Sequence, residues 1–178
     1  MTIAEFEAMD EEDGYRSELV RGYVVREPPP ATWHGVVATR INRYLEEHVS
    51  ARGLGVVTGN AGFVLEEVPP SVRGPDVAFL SAGRIPADAP RRGYWRVGPD
   101  LAVEVLSPSN SQAEVRDKLD QYFAAGVRIV WLVDPIAETV TVQDATGVLR
   151  TVAAGEVLTG APVLPDLRIH VAALFGLP

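Results

Sequence analysis

Carboxylates set inside apolar segments are the residues of this chain most able to do chemistry. Glu104 stands in residues 101–106, LAVEVL. There Leu101, Val103 and Val105 point to one side and Ala102, Glu104 and Leu106 to the other. A run that is apolar on both faces belongs to a central strand of a covered sheet. A carboxylate there is costly unless a cation, a hydrogen-bond network or a bound proton compensates it. Asp76 follows Pro75 and leads into a second apolar run, VAFL. Pro-Asp is also an ordinary turn element. If the two strands are neighbours, Asp76 and Glu104 make a hard, oxygen-rich site suited to Mg²⁺ or Mn²⁺. A lysine beside them would orient or deprotonate a water, or stabilise charge on a phosphorane-like transition state.

Such a lysine has to come from an element that returns across the strand. Residues 107–110, Ser-Pro-Ser-Asn, are turn formers. Ser111-Gln112-Ala113-Glu114 then reads as a capping box. The helix it opens carries Val115, Leu119, Tyr122 and Phe123 at helical spacing and closes near Gly126. Residues 128–134, RIVWLVD, form the next buried strand, so strand, helix and strand make a parallel, right-handed βαβ unit. Lys118 lies about 9 Å along the helix at ~1.5 Å per residue. Glu104 lies about 7 Å back from the strand end at ~3.3 Å per residue. The two are at similar depth. Lys118 flanks one side of the apolar stripe and Arg116 the other, and periodicity does not choose between them.

The rest of the chain bounds the answer. With 178 residues, 47% hydrophobic and 22% charged, it fits one soluble domain spanning 1–178. No cysteine is present, which excludes disulfides and zinc–thiolate sites. The acidic start does not read as a signal peptide and no apolar run is long enough to span a membrane, so a cytoplasmic protein is expected. A net charge of −8 argues against broad, non-specific nucleic-acid binding. Arg84, Arg91, Arg92 and Arg96, opposed by Asp88, form a local basic cluster. The sequence holds no Gly-rich phosphate loop, nucleophile elbow or Ser/His/Asp arrangement.

In chain order, a short helix is expected over 3–9, and strands over 15–20 and 23–26 joined at Arg21-Gly22. A long helix over 32–51 presents Val36, Val37, Ile41, Tyr44, Leu45 and Val49 on one face. Short strands follow at 56–59 and 62–66, a loop at Pro69-Pro70-Ser71, and a strand at 75–80. Residues 82–98 read as an exposed excursion. A hairpin is expected over 139–143 and 148–153, then a loop over 155–165 and a helical turn over 171–175. His48, His170, Tyr122 and Trp131 read as structural. The architecture is α/β (α+β) with a mixed sheet.

Pro75-Asp76, Glu104-x-x-Ser107-Pro108-Ser109, Asp117-Lys118, Tyr122, Gly126-Val127 and Trp131-Leu132-Val133-Asp134-Pro135 together resemble the Uma-type family of putative restriction endonucleases. That family lies within the PD-(D/E)xK nuclease superfamily. Glu18-Leu19-Val20-Arg21-Gly22 is similar to its first hairpin and His34 to its helix entrance, so the likeness runs from about residue 13 to 136. The resemblance implies a restriction-endonuclease-like fold, a mixed central β-sheet flanked by helices. It implies a metal-dependent DNA endonuclease in which Asp76 and Glu104 bind Mg²⁺ (or Mn²⁺). Leu106 stands where the superfamily motif has its lysine; the family supplies the lysine from the following helix, which gives Lys118 the role. Glu18 and His34 are supporting candidates, the first as a further acid, the second as a phosphate or water contact. DNA is the implied partner, with a homodimer by analogy with nucleases that cut two strands. The alternative is a catalytically inactive nuclease-fold module binding nucleic acid or a protein, with Glu104 and Lys118 as a buried ion pair.

Overall fold

The computed structural model describes residues 1–9, 15–108 and 110–176, with Leu149 described in its backbone alone. Ser109 of the expected turn lies outside the described residues. In chain order the elements are α1 (Ile3–Glu7), β1 (Arg16–Val20), β2 (Tyr23–Glu27), α2 (Thr32–Ser50), β3 (Gly55–Gly59), β4 (Phe63–Glu67), β5 (Pro70–Arg73) and β6 (Val77–Ser81). Then come β7 (Leu101–Val105), α3 (Gln112–Ala124), β8 (Ile129–Asp134), β9 (Thr139–Asp144), β10 (Gly147–Ala153), β11 (Val157–Gly160), β12 (Leu164–His170) and α4 (Ala172–Phe175).

A six-stranded sheet in the order β10-β9-β8-β7-β6-β3 carries the fold. β7 and β8 run parallel, with α3 as the crossover between them, and the other neighbours are antiparallel. The sheet is mixed, as the sequence implies. A second sheet, β2-β1-β5-β4, stands beside it, and β11-β12 form a third.

The alternation along β7 assigns its faces. Leu101, Val103 and Val105 join Ile129, Trp131 and Val133 of β8 under α2, which contributes Val37, Ile41, Leu45 and Val49. β11, β12 and α4 close that core with Leu158, Leu164, Ile169 and Leu174. On the opposite face Ala102, Val130 and Leu132 meet Tyr122 of α3, with Leu106, Val115 and Leu119 packed alongside. Both faces of β7 are therefore covered, as a two-sided apolar strand demands. α3 opens on the expected capping box, Ser111 accepting from Glu114 N and Glu114 reaching back to Ser111 N. It closes at Gly126, whose φ of 83° suits glycine. A third cluster, Ile3, Phe6, Leu19, Val64 and Val72, seats α1 on the second sheet.

Two expected loops are corrected. Residues 70–73 form β5, paired with β4 and β1, although two prolines suggest a break. Pro70 is the strand's first residue, where its missing N–H does not interrupt the ladder. Residues 155–165 contain β11 and the start of β12, disguised by Gly160, Pro162 and Pro165 and by a register shift at Thr159–Gly160. The excursion 82–98 is largely exposed or half-buried, as expected, and is tied down at two points: Trp95 bridges to Phe63, and Tyr94 stacks on Phe6 at 5.7 Å between ring centroids. Its arginines are not one patch, since Arg84 pairs with Asp100 at 3.0 Å and Arg96 with Glu67. Among the described residues no helix is long and apolar enough to cross a membrane.

At Gly55, where β3 joins β6, the chains approach so closely that a Cβ would lie 2.1 Å from the Leu80 carbonyl oxygen. Gly55→Ala is expected to lower unfolding free energy by about 1–3 kcal/mol through forced overpacking. Urea unfolding of the two proteins measures it, and equal midpoints would show that the β3–β6 contact relaxes freely.

Candidate active site

β6 and β7 pair antiparallel with Val77 opposite Val103. Continuing that register one residue sets Asp76 opposite Glu104, and opposite residues in adjacent strands project to the same side. The structure fixes the placement with a hydrogen bond from Val105 N to Asp76 Oδ2 at 2.8 Å. Both carboxylates line one cleft of about 510 Å³. Its other walls are the β1–β2 hairpin (Val20, Val25), the N-terminus of α2 (His34) and α3 (Lys118, Tyr122).

Each acid meets cations. Asp76 Oδ1 accepts from Arg16 at 3.1 Å, and Asp76 Oδ2 lies 3.2 Å from His34 Nε2. Glu104 Oε2 accepts from Lys118 Nζ at 3.0 Å, and Glu104 Oε1 accepts from the Tyr122 hydroxyl at 2.5 Å. Lys118 is thus the basic residue of α3 that turns inward, resolving the choice left open between it and Arg116. Its ammonium also lies 3.4 Å from Glu18 Oε1. Glu18, only 1% exposed, is further held by Gly74 N at 2.9 Å and Arg73 at 2.8 Å. Its oxygens thus face Arg73, Gly74 N and the Lys118 ammonium.

These contacts set the protonation states. Burial pushes the Asp76 carboxyl up, but the hydrogen bond and charge of His34, the Val105 N–H and Arg16 outweigh it, and its pKa falls below the ordinary value. Glu18 behaves the same way: burial is outweighed by Lys118 and Arg73. Glu104 differs. Burial raises its pKa, the charges of Asp76 and Glu18 add to the rise, and Lys118 and Tyr122 offset it only in part. For Lys118 the penalty of burial is overcome by Glu104 and Glu18, so its pKa moves up. His34 is raised as well, chiefly by its hydrogen bond to Asp76, against the opposing effect of burial.

The sequence candidates Asp76, Glu104, Lys118, Glu18 and His34 all converge here. Sequence reasoning missed three more residues. Tyr122, read as plain core, is fully buried but spends its hydroxyl on Glu104. Its spacing of four from Lys118 on one helix face was an available signal. Arg16 binds Asp76 and Asn60. Arg73, 7% exposed, donates to Glu18, to Gln121 at 3.0 Å and to Asp117 at 3.3 Å. No local pattern marks either arginine, because β1 and β5 reach the site only through sheet pairing.

The donor set can be tested for a metal. Carboxylate oxygens are hard ligands, and a carboxylate offers about four lone-pair sites. Asp76 accepts three contacts and Glu104 two, so both retain acceptor capacity towards the cleft. Among the described residues no three His, Cys, Asp or Glu side chains form a ready-made cage. Two carboxylates with the remaining positions open to water and phosphate is a set that fits Mg²⁺ better than a tightly caged ion.

Comparison with known proteins agrees with this architecture. The crystal structure of a putative nuclease belonging to DUF820 from Anabaena variabilis ATCC 29413 matches with a TM-score of 0.84. The two share 20% identity, with 98% of this chain and 97% of that one covered, which establishes a common fold. No curated protein matches the chain. The family described as Uma2, putative restriction endonuclease, matches residues 3–172, and the chain belongs to that family.

Proposed function

We propose that this protein is a metal-dependent DNA endonuclease that hydrolyses phosphodiester bonds at the Asp76–Glu104–Lys118 cleft. The observation that carries this reading is the placement of two carboxylates from adjacent strands on one cleft, with an ammonium 3.0 Å from the second. Membership of a family described as restriction endonucleases supports it. Asp76 and Glu104 would hold Mg²⁺ or Mn²⁺, which when bound polarises a scissile phosphate and lowers the pKa of an attacking water.

The chain's own residues define the rest. Lys118, with its pKa raised, stays protonated across the neutral range. It is therefore a poor base, and its part is to orient the water and neutralise developing negative charge. Tyr122 and Lys118 together fix the Glu104 carboxylate. Arg16 and His34 counter the charge of Asp76 from the side of β1 and α2 and stand where a phosphate oxygen would enter. Arg73 and Glu18 keep Lys118 in place.

One observation favours a second reading, an inactive binding module. Asp76, Glu104 and Glu18 are each already paired with a protein cation, which is how a purely structural ion cluster would look. Mn²⁺ titration separates the two, since only the first needs both acids to share a metal.

Supercoiled plasmid nicked in Mg²⁺ or Mn²⁺ but not in EDTA is the expected result for the wild type. Glu104→Gln should reduce nicking at least 100-fold, the scale of losing a group that stabilises the transition state. The fold should survive, because Lys118 retains Glu18. Nicking that persists in a folded Glu104→Gln protein would remove the proposed site. A second test uses pH. Glu18 has its folded pKa below the ordinary value of 4.5, so its stabilising effect is present above pH 4.5 and lost as pH falls through the folded value. Glu18→Gln should cost about 3 kcal/mol at neutral pH and flatten the fall of urea midpoints below pH 4.5. Parallel curves for the two proteins would show that Glu18 is not the linked group.

A further inference from the structure

Beside the catalytic cleft lies a second hollow of about 620 Å³, within the size range of small-molecule sites. It runs between α3 and the β9–β10 turn, on the face of the central sheet that carries Glu104. Leu106, Leu119 and Leu132 line both hollows, so the two form one continuous groove. The floor of the second part is apolar, with Phe123 at its side. Leu106 is two residues beyond Glu104, about 7 Å along the strand at ~3.3 Å per residue. A group attached next to a phosphate at Glu104 therefore reaches this floor directly.

The rim decides what that group is. Gln112 and Gln143 bring side-chain amides, which both donate and accept hydrogen bonds. Asp120 and Asp144 are also on the rim, so a second phosphate is disfavoured, whereas an exocyclic amino group would find acceptors. Arg116 lines the groove from α3 and is exposed, its planar guanidinium available to stack on a ring. An apolar slot with amide edges and a guanidinium at its lip is chemistry for a flat heteroaromatic ring.

Charge supports the same occupant. The chain carries a net −8, and the cleft's Arg16, Arg73 and Lys118 are committed to carboxylates. Gripping a duplex by its phosphates needs free cations. Contact with an unstacked base gives affinity that does not depend on them. We propose that this groove is a subsite for an unpaired nucleobase adjoining the scissile phosphate, so the protein acts on strands whose base is already out of the stack. This rests on the nuclease reading for its position but not for its measurement.

Binding in EDTA tests it apart from catalysis. Dye-labelled single-stranded oligonucleotides, fully base-bearing or with abasic sugars throughout, and a duplex of the same sequence would be titrated by fluorescence anisotropy. The variants are Ala145→Trp, from the exposed β9–β10 turn, and Gln112→Trp, from the exposed start of α3; each fills the groove from a different wall. Circular dichroism checks their fold, and Ala145→Ser serves as the conservative control. The wild type should bind the base-bearing strand about tenfold more tightly than the abasic strand or the duplex, the scale of one base contact. Both Trp variants should lose that advantage while leaving abasic binding unchanged. Equal wild-type affinity for base-bearing and abasic strands would overturn the inference, as would absence of binding to any strand or equal weakening of abasic binding by the Trp variants. If base-dependent binding holds while plasmid nicking is absent, the nuclease reading falls and the subsite stands. If nicking is present and binding ignores the bases, the subsite alone falls.

Discussion

The ammonium of Lys118 lies between Glu104 at 3.0 Å and Glu18 at 3.4 Å, carboxylates that come from two different sheets. Two buried like charges at such a junction repel each other strongly, because the local dielectric is low and water is excluded. The lysine converts that repulsion into a shared attraction and so ties β1 to β7 through α3. Its neighbours on the helix make the geometry definite. Asp117 accepts from Arg21 at 2.6 Å in the β1–β2 turn and from Arg73 on β5, and Tyr122 reaches Glu104 from the next turn. Three residues of one helix therefore fix its rotation, its depth and its distance from the second sheet. Loss of the lysine would leave Glu18 with Arg73 and Glu104 with the neutral Tyr122 hydroxyl.

Around that contact the two proposed metal ligands are prepared differently. Asp76 is held ionised by His34, Val105 N–H and Arg16, with its pKa below the ordinary range. Glu104 is raised by burial and by the nearby acids, and its charge depends on what lies beside it. The linkage runs oppositely for the two. Asp76 adds stability that is lost as pH falls through its folded pKa. Glu104 adds stability that is present below its ordinary value and lost as pH rises through its folded one. A site with one constitutive and one conditional carboxylate favours additional positive charge next to Glu104.

Much of the architecture was legible because it rests on short-range rules. The two-sided apolar pattern of 101–106, the Ser111–Glu114 capping box and Gly126 define strand, helix and turn without any long-range information. So does the depth match between Glu104 and Lys118, which reduces to rise per residue. Illegible were the parts that depend on pairing between distant strands. Arg73 sits in a segment whose prolines read as a loop, and its role follows from β5 lying between β1 and β4. Arg16 is an exposed-looking strand residue until β1 is placed beside Asp76. Gly160 and Pro165 conceal β11 and β12 for the same reason: irregular register erases the alternation from which strands are read.

Helix α3 shows why the catalytic and the recognition readings belong together. Asp117, Lys118, Gln121 and Tyr122 occupy one side of it and serve the charged cluster, while Arg116, Leu119, Asp120 and Phe123 line the adjoining groove. Positions three and four apart share a face, so a single helix can present two chemically distinct surfaces that meet along Val115 and Leu119. Leu119 lines both hollows and is the seam. The orientation that buries Lys118 against Glu104 turns Arg116 outward to the groove, since residues two apart lie about 200° around the helix, and exchanging them would also bring the Asp120 carboxylate towards Glu104. The same electrostatic constraint that fixes the charged site thereby also shapes the slot beside it.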